Sequence, residues 1–272
     1  MIIDIHTHIF PDKIASKAIA KLSESSDVKP QSDGTLEGLK MDMKKRGIDR
    51  CVLMPVVTNP GQIRSITDYS IRVNQEALEK GTGVYSFSGI HPDNENYKEI
   101  INELKNAGIK GIKVHPVFQN TYFDDLRYMR IVEYAMEKDM FILTHAGYDI
   151  SYPGLDFVTP EHIIPVLKSI KPHKLILAHM GAWGCWDMLE EMRDICPFYV
   201  DTAFSICSFK QILSMERFRE IVRLLGSDHI LFGSDSPWTD QRENVRLIEN
   251  SGLEKEEIDS ILFSNAVRLL QL

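Results

Sequence analysis

The feature that most constrains the fold is a repeated alternation of short apolar runs and amphipathic segments along all 272 residues. The amphipathic segments repeat their apolar positions at the 3.6-residue spacing of a helix. The apolar runs predict eight strands, at 2–8, 50–56, 84–91, 111–116, 141–147, 174–181, 198–204 and 230–237. The amphipathic segments predict helices at 36–47, 66–81, 97–108, 126–139, 160–170, 218–226 and 255–272.

Eight strands alternating with helical segments predict one α/β domain, a single (β/α)8 TIM barrel of residues 1–272. An open doubly wound sheet gives a similar alternation, but it usually has fewer strands, and no glycine-rich dinucleotide fingerprint follows the first strand. The connection after the first strand, residues 9–35, is extended. Loops after strands lie on the functional face of such barrels, so this loop is either a lid or substrate-binding segment or a surface excursion.

Composition and charge restrict the partners of the chain. Lys and Arg total 31 and Asp and Glu total 39, which gives a net charge of −8. An acidic chain without a basic cluster argues against a nucleic-acid partner and against an anionic membrane. No apolar run approaches the roughly 20 residues of a membrane helix, and the N-terminus lacks a signal-peptide pattern, so we expect a cytoplasmic protein. A small-molecule substrate is the expected partner, and homo-oligomerisation is left open.

The first strand carries two histidines in the segment IDIHTH, residues 3–8. Alternate residues of a strand point to the same side, so Asp4, His6 and His8 share one face. In a closed barrel helices cover the apolar outer face, and the polar face points into the barrel. Two imidazoles on that face can converge on a metal ion. The pair alone is a weak signal, because structural histidines give the same pattern.

Three other strands end in residues that can bind a metal. His145 closes FILTHAG, His179 closes KLILAHMG and Asp235 closes ILFGSDSP. Each lies at the carboxyl end of its strand, where a (β/α)8 barrel places its functional residues. Imidazole and carboxylate ligands without a thiolate suit Zn²⁺, Mn²⁺ or Fe²⁺. Because unrelated core histidines are not expected to gather at one end of several strands, these residues predict a divalent metal site.

These motifs resemble the amidohydrolase superfamily of metal-dependent barrels, which has HxH on strand one, His on strands five and six, and Asp on strand eight. The segments DIHTH, THAG, LAHMG and LFGSDSPW are similar to the amidohydrolase-related (amidohydrolase 2) branch that includes aminocarboxymuconate-semialdehyde decarboxylase. The metal ligands that this resemblance implies are His6, His8, His145 and Asp235. They would hold one divalent ion, with zinc expected and manganese as the alternative. The resemblance also implies that His179 transfers a proton or polarises water.

Four further residues have more than one interpretation. In binuclear members of the superfamily a carboxylated lysine on strand four bridges two metals, and Lys113 of GIKVHP lies on the same strand face as His115. Lys113 alternatively binds a substrate carboxylate or carbonyl, so a second metal stays open. His91 and His115 each precede a proline at a strand end, and they are either site residues or turn residues. Arg64 is either a binding group for a substrate carboxylate or a solvated residue at a helix start.

Two reactions fit this set of ligands. In the first, a hydrolase cleaves an amide, cyclic amide, ester or lactone with a metal-activated water, and Asp235 accepts the proton of that water. In the second, a non-oxidative decarboxylase acts on an aromatic or unsaturated carboxylic acid, and an acidic group of the protein protonates the carbon that loses CO2. We expect hydrolysis, because most arrangements of these ligands activate water. A non-catalytic metal-binding barrel is the third interpretation.

Overall fold

The computed structural model describes residues 1–207 and 213–272, and within them strands alternate with helices along the chain. The strands are β1 Ile3–Thr7, β2 Arg50–Leu53, β3 Val84–Ser86, β4 Ser88–Gly89, β5 Gly111–Val114, β6 Phe141–Thr144, β7 Leu175–Leu177, β8 Tyr199–Asp201 and β9 Ile230–Leu231. The α-helices are α1 Asp12–Ser26, α2 Leu36–Arg46, α3 Ile63–Lys80, α4 Tyr97–Asn106, α5 Leu126–Glu137, α6 Pro160–Ile170, α7 Leu189–Ile195, α8 Met215–Leu225, α9 Gln241–Glu249, α10 Lys255–Asp259 and α11 Asn265–Leu270.

The chain divides into two compact units. Unit 1 contains Met1–Leu53, Ile150–Tyr152 and Val200–Leu272. Unit 2 contains Met54–Asp149 and Pro153–Tyr199. The expectation that the chain forms one domain stays a prediction.

Unit 1 is built on β1, β2, β9 and the end of β8. β1 pairs in parallel with β2, and β8 pairs in parallel with β9. β1 also joins the chain that leaves β9, because the backbone N–H of Ile5 donates to the carbonyl of Phe232 at 2.8 Å. These contacts give the local strand order β2, β1, β9, β8. All five residues of β1 are buried, as expected for a parallel strand that is covered on both faces.

Unit 2 contains a parallel run of β4, β5, β6 and β7 in that order. The register places Lys113 opposite Gly89 on one side and opposite Leu143 on the other. Every residue of β5, β6 and β7 is buried, so these strands form the core of the unit. Side chains at the carboxyl ends of β5 and β6 therefore emerge next to one another.

The structure contains all the predicted strands, with shorter bounds, and all the predicted helices, of which α3 and α8 begin three residues earlier than predicted. It adds α1, α7 and α9. The predicted strand 84–91 is interrupted at Phe87 and forms β3 and β4. The predicted helix 255–272 consists of α10, a π-helical turn at Ser260–Ser264 and α11. No helix in residues 1–207 or 213–272 is long and apolar enough to cross a membrane.

The long connection after β1 is present, and its centre is the helix α1. Ala15 and Ile19 of α1 are buried. The connection is tied to the rest of unit 1 beyond the helix, because the backbone N–H of Gln31 donates to the carbonyl of Pro237 at 2.7 Å. The segment 9–35 is thus anchored to the loop that follows β9.

Candidate metal centre

Three of the predicted ligands come together in unit 1, at the carboxyl ends of β1 and β9. The Nε2 atoms of His6 and His8 are 3.1 Å apart. Oδ1 of Asp235 lies 3.2 Å from Nε2 of His8 and 3.8 Å from Nε2 of His6. Metal–ligand distances of about 2.0–2.1 Å in a tetrahedral site separate neighbouring ligand atoms by about 3.3 Å. The three atoms already have the spacing that one divalent ion requires, so these residues fit a metal.

His6 is oriented by Asp201, a carboxylate that the sequence analysis did not identify. Nδ1 of His6 lies 2.7 Å from Oδ2 of Asp201, and both side chains are buried. An ionised carboxylate can only accept, so Nδ1 carries the proton and Nε2 keeps its lone pair. Carboxylates orient metal-binding histidines in this way and raise their basicity. Asp201 is the last residue of β8, so the strand-end criterion applied to the histidines would also have found it.

Gly233 leaves room for this pair of side chains. A Cβ atom at position 233 would lie 2.8 Å from Cβ of His6 and 3.4 Å from Cβ of Asp201. A glycine inside or beside a strand often marks such a close approach of neighbouring chains. The contact between His6 and Asp201 therefore requires a residue without a side chain at position 233.

Asp235 follows β9 in a left-handed backbone conformation with φ of 64°. Such conformations are uncommon outside glycine and gather at functional sites. The turn is held on both sides, because the N–H of Asp235 donates to the carbonyl of His6 at 2.9 Å and the N–H of Trp238 donates to the carbonyl of Asp235 at 2.8 Å. These two bonds fix the backbone from which the Asp235 carboxylate faces the histidines.

Asp4 shares the predicted face with the histidines, but its carboxylate accepts hydrogen bonds that hold neighbouring segments together. It accepts from the backbone N–H groups of His6 and Ser234 at 3.1 and 3.0 Å. It also accepts from Oγ of Ser234 at 2.5 Å and from Nε2 of Gln241 at 2.7 Å. Burial raises the pKa of Asp4 to about 6, although these hydrogen bonds lower it. Asp4 thus ties β1 to the segment after β9.

His145, the fourth predicted ligand, lies in unit 2. Its Nε2 is 3.1 Å from the carbonyl oxygen of Tyr148. A carbonyl can only accept, so Nε2 carries the proton and the lone pair lies on Nδ1. Nδ1 is 2.9 Å from Nε2 of His179, the predicted proton-transfer residue. The single lone pair of His145 therefore lies on Nδ1 and faces His179.

His179 is held in a defined position after β7. Its backbone has φ of 60°, again in the left-handed region. The indole N–H of Trp186 donates to the carbonyl oxygen of His179 at 3.1 Å. Because Nδ1 of His145 carries no proton, the 2.9 Å contact requires a proton on Nε2 of His179. His179 is therefore a hydrogen-bond donor at this atom.

His115, His145 and Asp149 form a second group of metal-type side chains, within unit 2. The rings of His115 and His145 are stacked, with centroids 4.5 Å apart and an interplanar angle of 23°. Imidazole lone pairs lie in the ring plane, so those of stacked rings do not converge on one ion. Nε2 of His115 lies 3.6 Å from Oδ2 of Asp149. This arrangement favours polar contacts over a second metal at His115.

Gln119 fixes the backbone at His115. The N–H of His115 donates to Oε1 of Gln119 at 2.9 Å, and the hydroxyl of Tyr128 donates to the same oxygen. The amide NH2 of Gln119 donates to the carbonyls of Val57 and Ile90 at 2.7 and 2.6 Å. One buried side chain thus joins three loops of unit 2, which follow β2, β4 and β5. The sequence analysis did not identify this role.

Lys113 and His91 have different environments. Lys113 is almost completely buried in β5, on the same strand face as His115. Nδ1 of His91 accepts from the N–H of Asp93 at 3.1 Å, and the N–H of His91 donates to Oδ1 of Asn94 at 3.0 Å. Burial lowers the pKa of His91. These bonds support the interpretation of His91 as a turn residue.

Arg64 is a surface residue of α3. Its guanidinium donates to the carboxylate of Glu103 at 2.9 and 3.0 Å and also to Asp68. These two hydrogen-bonded carboxylates raise the pKa of Arg64 above its usual value. These exposed ion pairs favour the interpretation of Arg64 as a solvated residue at a helix start over that of a binding group for a substrate carboxylate.

The sequence matches the amidohydrolase family model over residues 3–272. The chain therefore belongs to the amidohydrolase family, as its motifs predict. No curated relative matches the sequence.

Solved structures resemble the chain over its full length. A 2,6-dihydroxybenzoate decarboxylase in complex with 2,6-dihydroxybenzoate is 14% identical, with a TM-score of 0.74 over 100% of this chain and 99% of that one. A 5-carboxyvanillate decarboxylase variant from Novosphingobium aromaticivorans with bound manganese is 14% identical, with a TM-score of 0.72 over 100% and 97%. An uncharacterized TIM-barrel protein from Bordetella bronchiseptica is 16% identical, with a TM-score of 0.74 over 99% and 98%. The predicted TIM-barrel fold is confirmed.

Proposed function

We propose that the chain is a metal-dependent enzyme that decarboxylates an aromatic or unsaturated carboxylic acid without oxidation. The observation that carries this proposal is the group of His6, His8 and Asp235, with Nε2 of His6 prepared for a metal by Asp201. This group fits hydrolysis and decarboxylation alike. The likeness to two solved decarboxylases favours decarboxylation over the hydrolysis that we expected from the sequence.

We assign one divalent metal to this group in unit 1. Imidazole and carboxylate ligands accept manganese as well as zinc, and the manganese in the Novosphingobium structure favours manganese over the zinc that we expected. When bound, the ion supplies a positive charge that holds a substrate oxygen and stabilises negative charge as it develops. His145 stays the predicted fourth ligand, and metal binding through its Nδ1 would replace the hydrogen bond that this atom accepts from Nε2 of His179.

The proposed reaction consumes one proton. The bond between the substrate carbon and its carboxylate breaks, CO2 leaves, and a carbon–hydrogen bond forms in its place. A residue of the chain must deliver that proton. We assign it to His179, because Nε2 of His179 holds a proton and the Trp186 hydrogen bond fixes its backbone. The carboxylate of Asp235 is the second candidate for proton transfer.

Isotope labelling distinguishes the two reactions. Purified protein of known metal content is incubated with hydroxylated aromatic acids, including 2,6-dihydroxybenzoate and 5-carboxyvanillate. Decarboxylation releases CO2, places deuterium from deuterated water on the carbon that lost the carboxylate, and puts no ¹⁸O from labelled water into the organic product. An organic product that contains ¹⁸O, formed without CO2 release, would establish hydrolysis and overturn the proposal.

A pair of histidine variants tests the metal assignment. His8→Ala removes one ligand atom of the group in unit 1, so both metal content and CO2 release should fall. His162→Ala is the control, because His162 is paired with Asp124 at 2.9 Å and belongs to neither group of metal-type residues. If His8→Ala keeps the metal content of the wild type, the ligand assignment is wrong.

A further inference from the structure

The loops that follow β6 and β7 in unit 2 are joined by a short extension of the parallel sheet. Gly147 and Trp183 form a parallel bridge beyond the ends of the two strands. The N–H of Trp183 donates to the carbonyl of Ala146 at 2.8 Å, and the N–H of Tyr148 donates to the carbonyl of Trp183 at 3.0 Å. We call this pairing of Ala146–Tyr148 with Trp183 the loop ladder.

The loop ladder confines the chain after β7 to a tight turn. Regular pairing ends at Thr144 and Leu177, so three positions (144 to 147) lead to the bridge on one side and six (177 to 183) on the other. The longer side contains the turn His179–Gly181, whose φ angles are 60°, 56° and 91°. Left-handed backbone is unfavourable for the first two of these residues, so the surrounding contacts must hold the turn.

The same contacts bring His179 to His145. Nε2 of His179 lies 2.9 Å from Nδ1 of His145. Nε2 of His145 is held by the carbonyl of Tyr148 at 3.1 Å, and the N–H of Tyr148 belongs to the loop ladder. On the other side, the indole N–H of Trp186 holds the carbonyl of His179 at 3.1 Å. The spacing of the two imidazoles is therefore set by the way in which the two loops are joined.

Position 147 accepts only a residue without a side chain. Gly147 has φ of 88°, and a Cβ atom there would overlap the backbone N and O atoms of Trp183. It would also lie 2.6 Å from the carbonyl carbon of Ala182. Backbone atoms can give way only if the whole loop moves. A glycine inside or beside a strand often marks such a close approach of two backbones, and here it allows the loop ladder to form.

We propose that Gly147 and Trp186 are positioning residues for proton transfer by His179. Gly147 permits the loop ladder and Trp186 holds the turn, so that Nε2 of His179 stays beside Nδ1 of His145. This inference rests on the proposed function, because decarboxylation requires a proton donor that is placed beside the substrate. A displacement of about 1 Å at a reacting group can lower a rate by about 100-fold, so the loop ladder should control turnover.

A double-mutant cycle on the metal-loaded full chain tests the proposal, with CO2 release from 2,6-dihydroxybenzoate as the measurement. Gly147→Ala should lower this rate by about 10- to 100-fold, because the added Cβ separates the two loops. In a His179→Asn background the same substitution should cause no further loss, since the group that it positions is already gone. Equal fold losses in the two backgrounds would overturn the proposal.

Gly154→Ala is the matched control for this substitution. Gly154 lies in the same loop with φ of 87°, but a Cβ there would meet no atom within 4 Å. The control therefore introduces the same backbone strain without the close approach, and its CO2 release should equal that of the wild type. An equal loss in Gly154→Ala and Gly147→Ala would show only the strain of a left-handed residue and would overturn the proposal.

Nitrogen NMR measures the arrangement without any reaction. In the full chain, freed of metal by a chelator, the N–H···N hydrogen bond between His179 and His145 gives a scalar coupling between the two ¹⁵N nuclei. This coupling should be present in the wild type and in Gly154→Ala and lost in Gly147→Ala. Its absence from the wild type, or its persistence in a folded Gly147→Ala protein, would overturn the proposal. If the wild type releases no CO2, the proposed decarboxylation fails, whereas the coupling still decides whether Gly147 positions His179.

Trp186→Phe is a milder variant that decides the matter if Gly147→Ala does not fold. It keeps an aromatic ring and removes the indole N–H that donates to the carbonyl of His179. The ¹⁵N coupling should weaken, and CO2 release should fall in the wild-type background but not in His179→Asn. A Trp186→Phe protein with wild-type coupling and wild-type CO2 release would overturn the proposal.

Discussion

Replacing Asp201 by Asn tests whether the carboxylate beside His6 controls metal affinity. The two side chains have the same shape, but Asn has one acceptor oxygen and one NH2 group. In the wild type, Oδ2 of Asp201 faces Nδ1 of His6 at 2.7 Å, and Oδ1 accepts from the N–H of Ala203 at 3.1 Å. Both neighbours are donors, so the NH2 group of Asn must face one of them. It either meets the N–H of Ala203 or moves the His6 proton from Nδ1 to Nε2, the atom that would bind the metal.

The expected magnitude follows from this change of tautomer. Loss of a carboxylate that orients a metal-binding histidine typically weakens metal affinity by about 10- to 100-fold, or about 1.4–2.7 kcal/mol. We expect Asp201→Asn to lie in this range, because both groups are buried and water cannot replace the carboxylate. Competition with a chromophoric chelator measures the metal Kd, and circular dichroism on the same preparation verifies the fold.

Asp228→Asn is the matched control for this experiment. Oδ1 of Asp228 lies 3.1 Å from Nδ1 of His229, so the same substitution is made beside a histidine of unit 1 that is not a predicted ligand. Its metal Kd should equal that of the wild type. A folded Asp201→Asn protein with unchanged metal Kd would refute the argument, and so would an equal loss of affinity in the control.

Three further predictions concern the histidines and their surroundings. Gly233→Ala places a Cβ 2.8 Å from Cβ of His6, so calorimetry should show a loss of about 1–3 kcal/mol in unfolding free energy, and chelator competition should show a weaker metal affinity. The control Gly61→Ala is exposed, and its Cβ would meet only Oδ1 of Asn59 at 3.2 Å, so it should leave metal affinity unchanged and cost less stability. His179→Asn should keep its metal while turnover falls by about 10²- to 10⁴-fold; joint loss of metal and turnover would make His179 a ligand. His145→Ala should lose metal by elemental analysis with an unchanged circular dichroism spectrum, and full metal content would contradict the fourth-ligand prediction.

The fold could be predicted where a segment has one clear apolar pattern. The strands have such a pattern because they are buried on both faces and therefore form continuous apolar runs. α9 does not, because it buries the polar residues Gln241 and Asn244 beside its apolar ones. Those amides have specific partners, and Asn244 donates to the hydroxyl of Thr239 at 2.7 Å. Polar residues that are buried for hydrogen bonding remove the pattern from which a helix is predicted.

The residues of the candidate site could be predicted where they lie at the carboxyl ends of predicted strands. His6, His8 and Asp235 follow from that criterion alone. Gln119 does not, because its partners are the backbone carbonyls of Val57 and Ile90, 62 and 29 positions away in the chain. Every residue has a backbone carbonyl, so the identity of a residue does not indicate that its carbonyl accepts such a hydrogen bond. Arg64 was ambiguous for a related reason, since its partner Glu103 is 39 positions away.

The positions of two protons decide which imidazole atoms can bind a metal, and no motif specifies them. His6 keeps its lone pair on Nε2, because Asp201 accepts the proton of Nδ1. His145 keeps its lone pair on Nδ1, because the carbonyl of Tyr148 accepts the proton of Nε2. An acceptor on the opposite ring nitrogen would leave a histidine in the same place with its lone pair turned away. The motif therefore specifies which residues are available, while the hydrogen-bond partners within each unit specify the ligand atoms.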